Sequence, residues 1–336
     1  MFHHSQGSDM KVLFIGGSGN ISSACTRQAL LEGHTVYHFN RGISSDYLFN
    51  EEVITITGDV THPSDRFNLE KYAPFDVVVN FICFAPNQIQ EDIEFFYKKT
   101  SQYIFISSAT VYKKPPDHYL ITEDCPLSNP YWTYAQNKIA CETLLTSRPN
   151  FPYTIVRPSY TYGKTWIPVA FTAREYNPVH RIRNGLPIIS HGDGESLWVM
   201  THTSDFARAF ISLFGRKEAL NNHFHITSDE VHTWDQIYKI IGKVIGIEPD
   251  LIHIPSDFIH SIAADWGAAL LGDKARSVVF DNSKIRSIVP GWKAEITFEE
   301  GIRGSISWFE ENPERMKPDT AIENKMNLII KKFQTR

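Results

Sequence analysis

The first half of the chain alternates short apolar runs with longer amphipathic stretches. Lys11–Ile15 is a β-rich apolar run that ends in a glycine cluster, and 21–31 then has the pattern of a helix that stops before Gly33. Repeated βα units predict an α/β fold, a Rossmann-type doubly wound parallel sheet with a ligand crevice at the carboxyl ends of its strands. Four further strands are predicted, at 35–39, 53–57, 76–79 and 103–107.

The second half of the chain breaks this rhythm. Proline and glycine become frequent from about Trp166 to Ser196, and short helices are predicted from about Trp234 to the end. With 336 residues the chain also exceeds a typical single domain. We therefore predict a smaller, mainly helical substrate lobe built from separated segments.

Composition narrows the classes of function. Hydrophobic residues make up 42% and charged residues 21%, and 33 basic against 38 acidic residues give a net charge of −5, which is no footprint for nucleic acid or an anionic membrane. Four scattered cysteines indicate reduced thiols and no metal site. Without an apolar run of roughly 20 residues, we expect a cytoplasmic protein with no membrane segment. Residues 1–10, including His3 and His4, resemble an expression-tag remnant and are excluded from these arguments.

The glycine cluster after the first strand is the first candidate binding element. A dinucleotide pyrophosphate needs backbone N–H groups at a helix N-terminus and no side chain in the way, and GGSGNIS supplies both. Ser22 stands where a third glycine is usual, but it is small enough for close helix packing. The predicted pyrophosphate contacts are Gly16, Gly19, Asn20 and Ile21.

The ends of the second and third strands bear on cofactor choice. Asn40 and Arg41 stand where a carboxylate would bind the adenosine ribose, so NAD(P) is predicted with a preference for NADP, whose phosphate Arg41 can pair with. A solvated surface arginine is the alternative. Asp59 and Val60 of TGDV follow the third strand, where the carboxylate can accept from adenine or simply cap a loop.

A tyrosine and a lysine supply the candidate chemistry. Tyr134 and Lys138 lie one turn apart in a helix predicted for 131–146, so they share a face. A nearby ammonium favours phenolate, and Ser108 at the end of the fifth strand can hold the substrate oxygen while the tyrosine exchanges its proton. These three residues are the predicted catalytic set.

The ordered motifs GGSGNIS, TGDV, ISSATVY, YAQNK, RPSYTYG and HGDGESLWVMTHTSDFARA resemble the extended short-chain dehydrogenase/reductases, the NAD-dependent epimerase/dehydratase family, from about Lys11 to Trp308. The resemblance implies that Tyr134 is the general acid/base, that Lys138 binds the nicotinamide ribose and lowers the tyrosine pKa, and that Ser108 binds the reacting oxygen. It also implies a nucleotide-binding domain of 11–165 plus about 198–233, and a substrate lobe of about 166–197 plus 234–336. The further cofactor contacts that it implies are Asn80, Phe81, Pro158, Ser159 and Tyr160.

The motifs define the family more closely than they define the reaction or the substrate. Ala109-Thr110 stands where dehydratases carry acidic residues, so elimination is disfavoured, while epimerisation and one-way hydride transfer on a sugar or nucleotide-sugar-like alcohol or ketone both remain open. Thr110 and Trp198 are candidate substrate contacts, and a homodimer is left open. Two arginines that grip the diphosphate in nucleotide-sugar members are absent, unless Lys274, Arg276 or the pair Arg181 and Arg183 replaces them.

A different class of function also remains open. The string Asn40-Arg41-Gly42 after the second strand resembles relatives that bind RNA or act as regulators after losing activity. Mild acidity and the complete set of Ser108, Tyr134 and Lys138 favour an enzyme with a small-molecule substrate and make nucleic acid an unexpected partner.

Overall fold

The computed structural model describes residues 9–42, 49, 52–172 and 174–336. His3, His4 and most of the segment expected to be a tag remnant lie outside the described residues. Among the described residues, no helix combines the length and apolar character needed to cross a membrane.

A seven-stranded parallel sheet forms the centre of the first domain, and the pattern predicted its parallel arrangement and five of its strands. Its order is β11-β7-β5-β4-β1-β2-β3, so the chain starts in the middle and winds outward in both directions. The predicted strands are confirmed, with shifts of one to three residues at their ends. The strands are β1 (Lys11–Ile15), β2 (Thr35–Asn40), β3 (Ile54–Thr57), β4 (Phe75–Asn80), β5 (Thr100–Ile106), β7 (Tyr153–Pro158) and β11 (Asn222–Ile226).

Both faces of this sheet are covered by helices, because successive strand residues point to opposite sides. Val12 and Phe14 of β1 pack with α1 and α5, whereas Leu13 and Ile15 pack with α2 and α3. The continuous apolar strands of the sequence are therefore explained by burial on both faces. These four helices are α1 (Asn20–Leu31), α2 (Pro86–Phe96), α3 (Thr133–Thr146) and α5 (Thr203–Ile211).

The second lobe has its own apolar core and three small sheets among the described residues. Short helices were predicted from about Trp234 to the end; of the six α-helices described there, three have six or seven residues and three have 12 to 15. Its strands are β6 (Leu120–Ile121), β8 (Tyr160–Tyr162), β9 (Ile188–His191), β10 (Leu197–His202), β12 (Val231–Thr233), β13 (Leu251–Ile254) and β14 (Val279–Phe280). Its helices are α4 (Asn177–Arg183), α6 (Trp234–Ile245), α7 (Ser256–Ile262), α8 (Ala264–Ala269), α9 (Ser283–Ile288), α10 (Phe298–Glu310) and α11 (Thr320–Gln334), with a π-helical turn at Leu270–Lys274.

The chain crosses between the two lobes more often than the domain boundaries expected from the sequence would require. Strand β11 pairs with β7 in the large sheet, but β10 pairs with β8 and β12 outside it. Ile285 of α9 and Trp292 pack in the core of the first domain, although they lie in a range expected for the second lobe. Long-range packing decides these placements, and the local pattern does not contain it.

Candidate active site

A cleft runs along the carboxyl ends of the central strands and continues under the second lobe. Two adjoining cavities of about 680 and 450 Å³ form it. They share the glycine turn at Gly16, Gly19 and Asn20. This is where a doubly wound sheet is expected to bind its ligand.

The glycine turn leaves space for an anion at the N-terminus of α1. Gly16 has φ +82°, and a Cβ on Gly17 would lie 2.4 Å from the His38 ring, so both positions require glycine. A Cβ on Gly19 would meet only Ser22 Oγ, at 3.4 Å, among the described residues. Ser22 Oγ accepts from Gly19 N and donates to Gly16 O, which closes the turn in place of the usual third glycine.

The first turn of α1, which is described in full, contains no acidic side chain, and its helix dipole favours negative charge at this end. The amides of Asn20 and Ile21 lie in the first turn and have no partner within the helix. Asn20 is otherwise held by its Nδ2, which donates to Thr161 O of β8 across 2.9 Å. The residues present therefore fit the pyrophosphate of a dinucleotide.

Asn40 and Arg41, the predicted ribose contacts, lie in different surroundings. Asn40 Oδ1 accepts from Gly17 N at 3.0 Å, so this side chain supports the glycine turn. Arg41 is exposed at the rim of the larger cavity, near Asp59. Asp59 Oδ1 accepts from the backbone and hydroxyl of Thr61, and these bonds lower the pKa of its carboxyl. Val60 lines the same cavity, so Asp59 has the geometry of a loop cap at the edge of a binding site.

Asn80 does not line the cleft, contrary to the expectation for it. The residue is fully buried, its Nδ2 donates to Asp92 Oδ2 at 2.6 Å, and its Oδ1 accepts from Ile82 N. Its amide is thus engaged in a buried hydrogen-bond network with Asp92 of α2. Phe81 does line the cleft, together with Ile82 and Phe84, which the sequence did not single out.

Ser108, Tyr134 and Lys138 meet at the inner end of the cleft. The hydroxyls of Ser108 and Tyr134 hydrogen-bond each other, and Thr110 Oγ1 donates to Ser108 Oγ at 3.1 Å. Lys138 Nζ donates to the carbonyls of Cys83 and Ile106, at 2.6 and 2.8 Å. Thr110 therefore orients the serine, and the lysine is held between the end of β5 and the loop after β4.

Burial dominates the electrostatics of this set. It raises the pKa of Tyr134, and the hydrogen bond with Ser108 offsets the rise only in part. Burial also lowers the pKa of Lys138 to about 8, although nearby thiols and Glu142 act in the other direction. The Lys138 ammonium lies 5.7 Å from the Tyr134 ring centroid and does not produce the expected net lowering of the tyrosine pKa. Tyr134 therefore carries its proton at neutral pH.

The segment after β7 forms the opposite wall of the inner cavity. Pro158 and Ser159 line it. The Tyr160 ring lines it too, but its hydroxyl donates to the carbonyls of Val169 and Thr172, both at 3.0 Å. Tyr160 therefore offers a fixed aromatic face rather than a free hydroxyl.

Trp198 does not reach the cleft, so its predicted substrate contact has no support from the geometry. Only 1% of the residue is exposed, and its ring lies 5.4 Å from that of Trp234 in the core of the second lobe. The cause is the placement of β10 in a separate sheet. Arg181 and Arg183, considered as replacements for the missing arginines, pair with Glu323 and Glu310.

Aromatic and basic residues of the second lobe complete the cleft, and the sequence did not indicate them. The Arg174 guanidinium lies 5.5 Å from the Trp166 ring, and that of Arg315 lies 3.9 Å from the Trp308 ring. All four line the cavity that contains the glycine turn. Trp132, just before α3, lines the inner cavity. No spacing in the sequence links these residues, because they come from distant segments.

No group of three or more His, Cys, Asp or Glu side chains in the described ranges could hold a metal ion. The cleft chemistry that the structure does support is general acid/base work by a hydroxyl pair beside a buried ammonium. The N-terminus of α1, whose residues fit a pyrophosphate, lines the same cleft.

Comparisons with known proteins identify the family. The model of the NAD dependent epimerase/dehydratase family matches residues 12–227. The chain is 28% identical over 324 residues to the chloroplast stem-loop binding protein of 41 kDa b of Arabidopsis thaliana, covering 90% of this chain and 80% of that protein.

Solved structures share the fold. An epimerase from Methanothermobacter thermautotrophicus superposes with a TM-score of 0.75 at 20% identity, covering 93% of this chain and 95% of the other. The Bordetella bronchiseptica enzyme WbmG, in complex with NAD and UDP, gives 0.72 at 17% identity, covering 93% and 98%. At these identities the superpositions establish the fold alone.

Proposed function

Because the chain belongs to the NAD-dependent epimerase/dehydratase family, we propose that its cleft binds a nicotinamide dinucleotide and transfers hydride to or from a secondary alcohol or ketone of a sugar-like substrate. One observation carries this proposal. The hydroxyl pair of Ser108 and Tyr134, with Lys138 buried beside it, lies in the same cleft as the open glycine turn of α1. A bound nicotinamide would supply the hydride donor or acceptor.

The residues of this chain handle the proton. Tyr134 holds a proton on its hydroxyl because burial raises its pKa, so it can donate to a substrate ketone oxygen. Ser108 Oγ can hold that oxygen in place. Thr110 is occupied in orienting Ser108, and no carboxylate follows the serine in the sequence, so the site offers hydride transfer rather than elimination.

For the cofactor, we propose that NADP(H) binds at least as well as NAD(H). Arg41 is exposed at the rim of the glycine-turn cavity, and the Asn40 amide beside it brings no negative charge toward a phosphate. The WbmG structure contains NAD, but at 17% identity this likeness leaves both forms open for the present chain.

An assay with both oxidised and both reduced cofactors tests the proposal. Sugars, sugar acids, sugar phosphates and nucleotide sugars are incubated with each cofactor, and reduced nicotinamide is followed by absorbance and the sugar by NMR. We expect turnover of at least one alcohol or ketone, with either net cofactor oxidation or reduction or an epimerised product. Absence of cofactor binding and of turnover across the set would contradict the proposal.

A second candidate is RNA binding, which the chloroplast stem-loop binding relative favours. The basic residues Arg41, Arg174 and Arg315 around the cleft would then contact phosphates. Titration with a stem-loop RNA over a series of salt concentrations distinguishes the two. Tight binding whose affinity falls steeply with salt, without turnover of any alcohol, would favour this function over the enzyme.

A further inference from the structure

Lys274 ends the π-helical turn of the second lobe, and its mostly buried side chain forms no ion pair among the described residues. Only 8% of the residue is exposed. Within residues 9–42, 49, 52–172 and 174–336, no carboxylate lies within ion-pair distance of Lys274 Nζ and no acceptor hydrogen-bonds it. Its neighbours are the faces of two aromatic rings. A buried charge of this kind is costly unless something compensates it.

The backbone around this lysine is held unusually firmly. The Lys274 carbonyl accepts three hydrogen bonds from the second lobe, from His191 Nε2 at 3.0 Å, Ser196 Oγ at 3.2 Å and Trp234 Nε1 at 3.2 Å. Burial lowers the pKa of His191 to about 4, so the ring is neutral and donates through Nε2. The position of Lys274 is therefore set by its surroundings.

The same turn is clamped to the wall of the cleft. Asn129 Nδ2 donates to Gly272 O at 2.6 Å and to Thr110 O at 2.9 Å, which joins the turn to the loop after β5. A Cβ on Gly272 would lie 2.9 Å from Trp132 Cβ, so glycine permits this close approach. The clamp holds the turn that contains Lys274 against Trp132 and the loop that contains Thr110.

The charges around Lys274 do not balance. Lys114 Nζ and Asp273 Oδ1 form a buried ion pair at 3.2 Å, so the Asp273 carboxylate is already neutralised. Burial lowers the pKa of Lys274, with Lys114 acting in the same direction and Asp273 opposing. The cluster as a whole retains one positive charge that the described residues do not balance.

The ammonium lies one aromatic ring away from the catalytic tyrosine. Lys274 Nζ is 5.6 Å from the Trp132 ring centroid and 5.7 Å from that of Tyr160, and both rings line the inner cavity. The Trp132 ring is 5.0 Å from the Tyr134 ring. Lys274 and Tyr134 therefore both lie beside the Trp132 ring.

We propose that Lys274 binds a small oxyanion, a carboxylate or a phosphate monoester, carried by the same sugar ring whose alcohol or ketone reaches Tyr134. The inference rests on the proposed function only in assigning this anion to the substrate. It adds a charged substrate group close to the reacting carbon, held by a residue outside the catalytic set.

Anion titrations followed by NMR test the proposal without any need for turnover. The protein carries isotope-labelled lysine, and the Lys274 signal is identified as the one lost in Lys274→Arg, which keeps the charge. Sodium phosphate and sodium acetate are titrated against sodium chloride at matched ionic strength. We expect a saturable shift of the Lys274 signal at concentrations at least tenfold below those at which chloride acts.

The arms of this experiment separate the outcomes. A stronger response to phosphate assigns a phosphate monoester, and a stronger response to acetate assigns a carboxylate. Arg276→Met, which removes an exposed charge two residues away, should leave the response unchanged. A Lys274 signal that responds to neither anion more than to chloride, or a response that Arg276→Met abolishes, would overturn the proposal. Tyr134→Phe should retain the response, so an anion site without turnover would reject the hydride-transfer function alone.

Discussion

Two mostly buried lysines lie near the inner end of the cleft, and their surroundings differ. Lys138 belongs to the first domain and donates hydrogen bonds to the carbonyls of Cys83 and Ile106. Lys274 belongs to the second lobe, faces two aromatic rings and has no acceptor among the described residues. The first ammonium is part of a complete hydrogen-bond network, whereas we propose that the second binds a ligand. We therefore propose that the side of the cleft formed by the first domain, the cofactor wall, is preorganised by the protein, and that the side formed by the second lobe, the substrate wall, is completed by the substrate.

The substitution with the largest expected effect removes the hydroxyl of Tyr134, the proposed proton donor. Tyr134→Phe should reduce turnover by about 10²–10⁴-fold, since it removes general acid/base catalysis and little volume. Cofactor affinity, measured by calorimetry, should be retained. Tyr131→Phe, three residues earlier and exposed, is the matched control and should turn over normally. Rates within a factor of a few for Tyr134→Phe would remove the tyrosine from the mechanism.

The same substitution at the two lysines compares the walls directly. Lys138→Met leaves two buried carbonyls without their donor, whereas Lys274→Met removes an ammonium that has no acceptor in the described part of the chain. We expect Lys138→Met to be less stable than Lys274→Met by about 1–3 kcal/mol in denaturant unfolding. Lys138→Met should also weaken cofactor binding, while Lys274→Met should not. Equal stabilities would mean that the hydrogen bonds of Lys138 contribute nothing.

The pH dependence of stability sharpens the comparison at Lys138. Its folded pKa of about 8 lies below the ordinary 10.5, so on raising the pH the folded state loses this proton before the unfolded state does. Stability of the parent protein relative to Lys138→Met should therefore rise between about pH 8 and 10.5 and be flat below pH 8. A relative stability that falls across this window would contradict the burial of the charge.

The smallest expected effect lies at the outer rim of the cofactor wall. Arg41→Ala should weaken NADP(H) by up to about fivefold and leave NAD(H) nearly unchanged, because exposed ion pairs contribute about 0.2–1 kcal/mol. Calorimetry with both cofactors measures it. An equal loss for the two forms would assign Arg41 a general role at the surface.

The sequence predicts the cofactor wall better than it predicts the substrate wall. The cofactor wall follows from local patterns, because the glycine turn adjoins its strand and helix, and Tyr134 and Lys138 share one helix face. The family resemblance is confirmed by the match over residues 12–227. Asn80 was misplaced since its position at a strand end does not reveal that Asp92 binds its amide.

The substrate wall could not be derived in this way. Lys274 approaches Trp132 only because Asn129 clamps a turn more than a hundred residues further along the chain. The Arg174–Trp166 and Arg315–Trp308 pairs line one cavity from segments with no common spacing. Trp198 was expected at this wall, but β10 joins a separate sheet and buries it. Such contacts depend on tertiary packing that leaves no periodic signal.

The proposed function requires the glycine turn of this cleft to bind a nicotinamide dinucleotide, and a substitution at Gly19 tests this binding. Its φ of −94° suits any residue, and a Cβ there meets only Ser22 Oγ at 3.4 Å among the described residues, so Gly19→Asp should fold normally while placing a carboxylate in the phosphate site. Calorimetric titration of NAD⁺ and NADP⁺ into the parent protein and Gly19→Asp, with matched thermal unfolding curves, is the measurement. We predict that the parent protein binds at least one cofactor and that Gly19→Asp loses at least tenfold in affinity for it, at unchanged thermal stability. Absence of binding to the folded parent, or equal binding by Gly19→Asp, would contradict it.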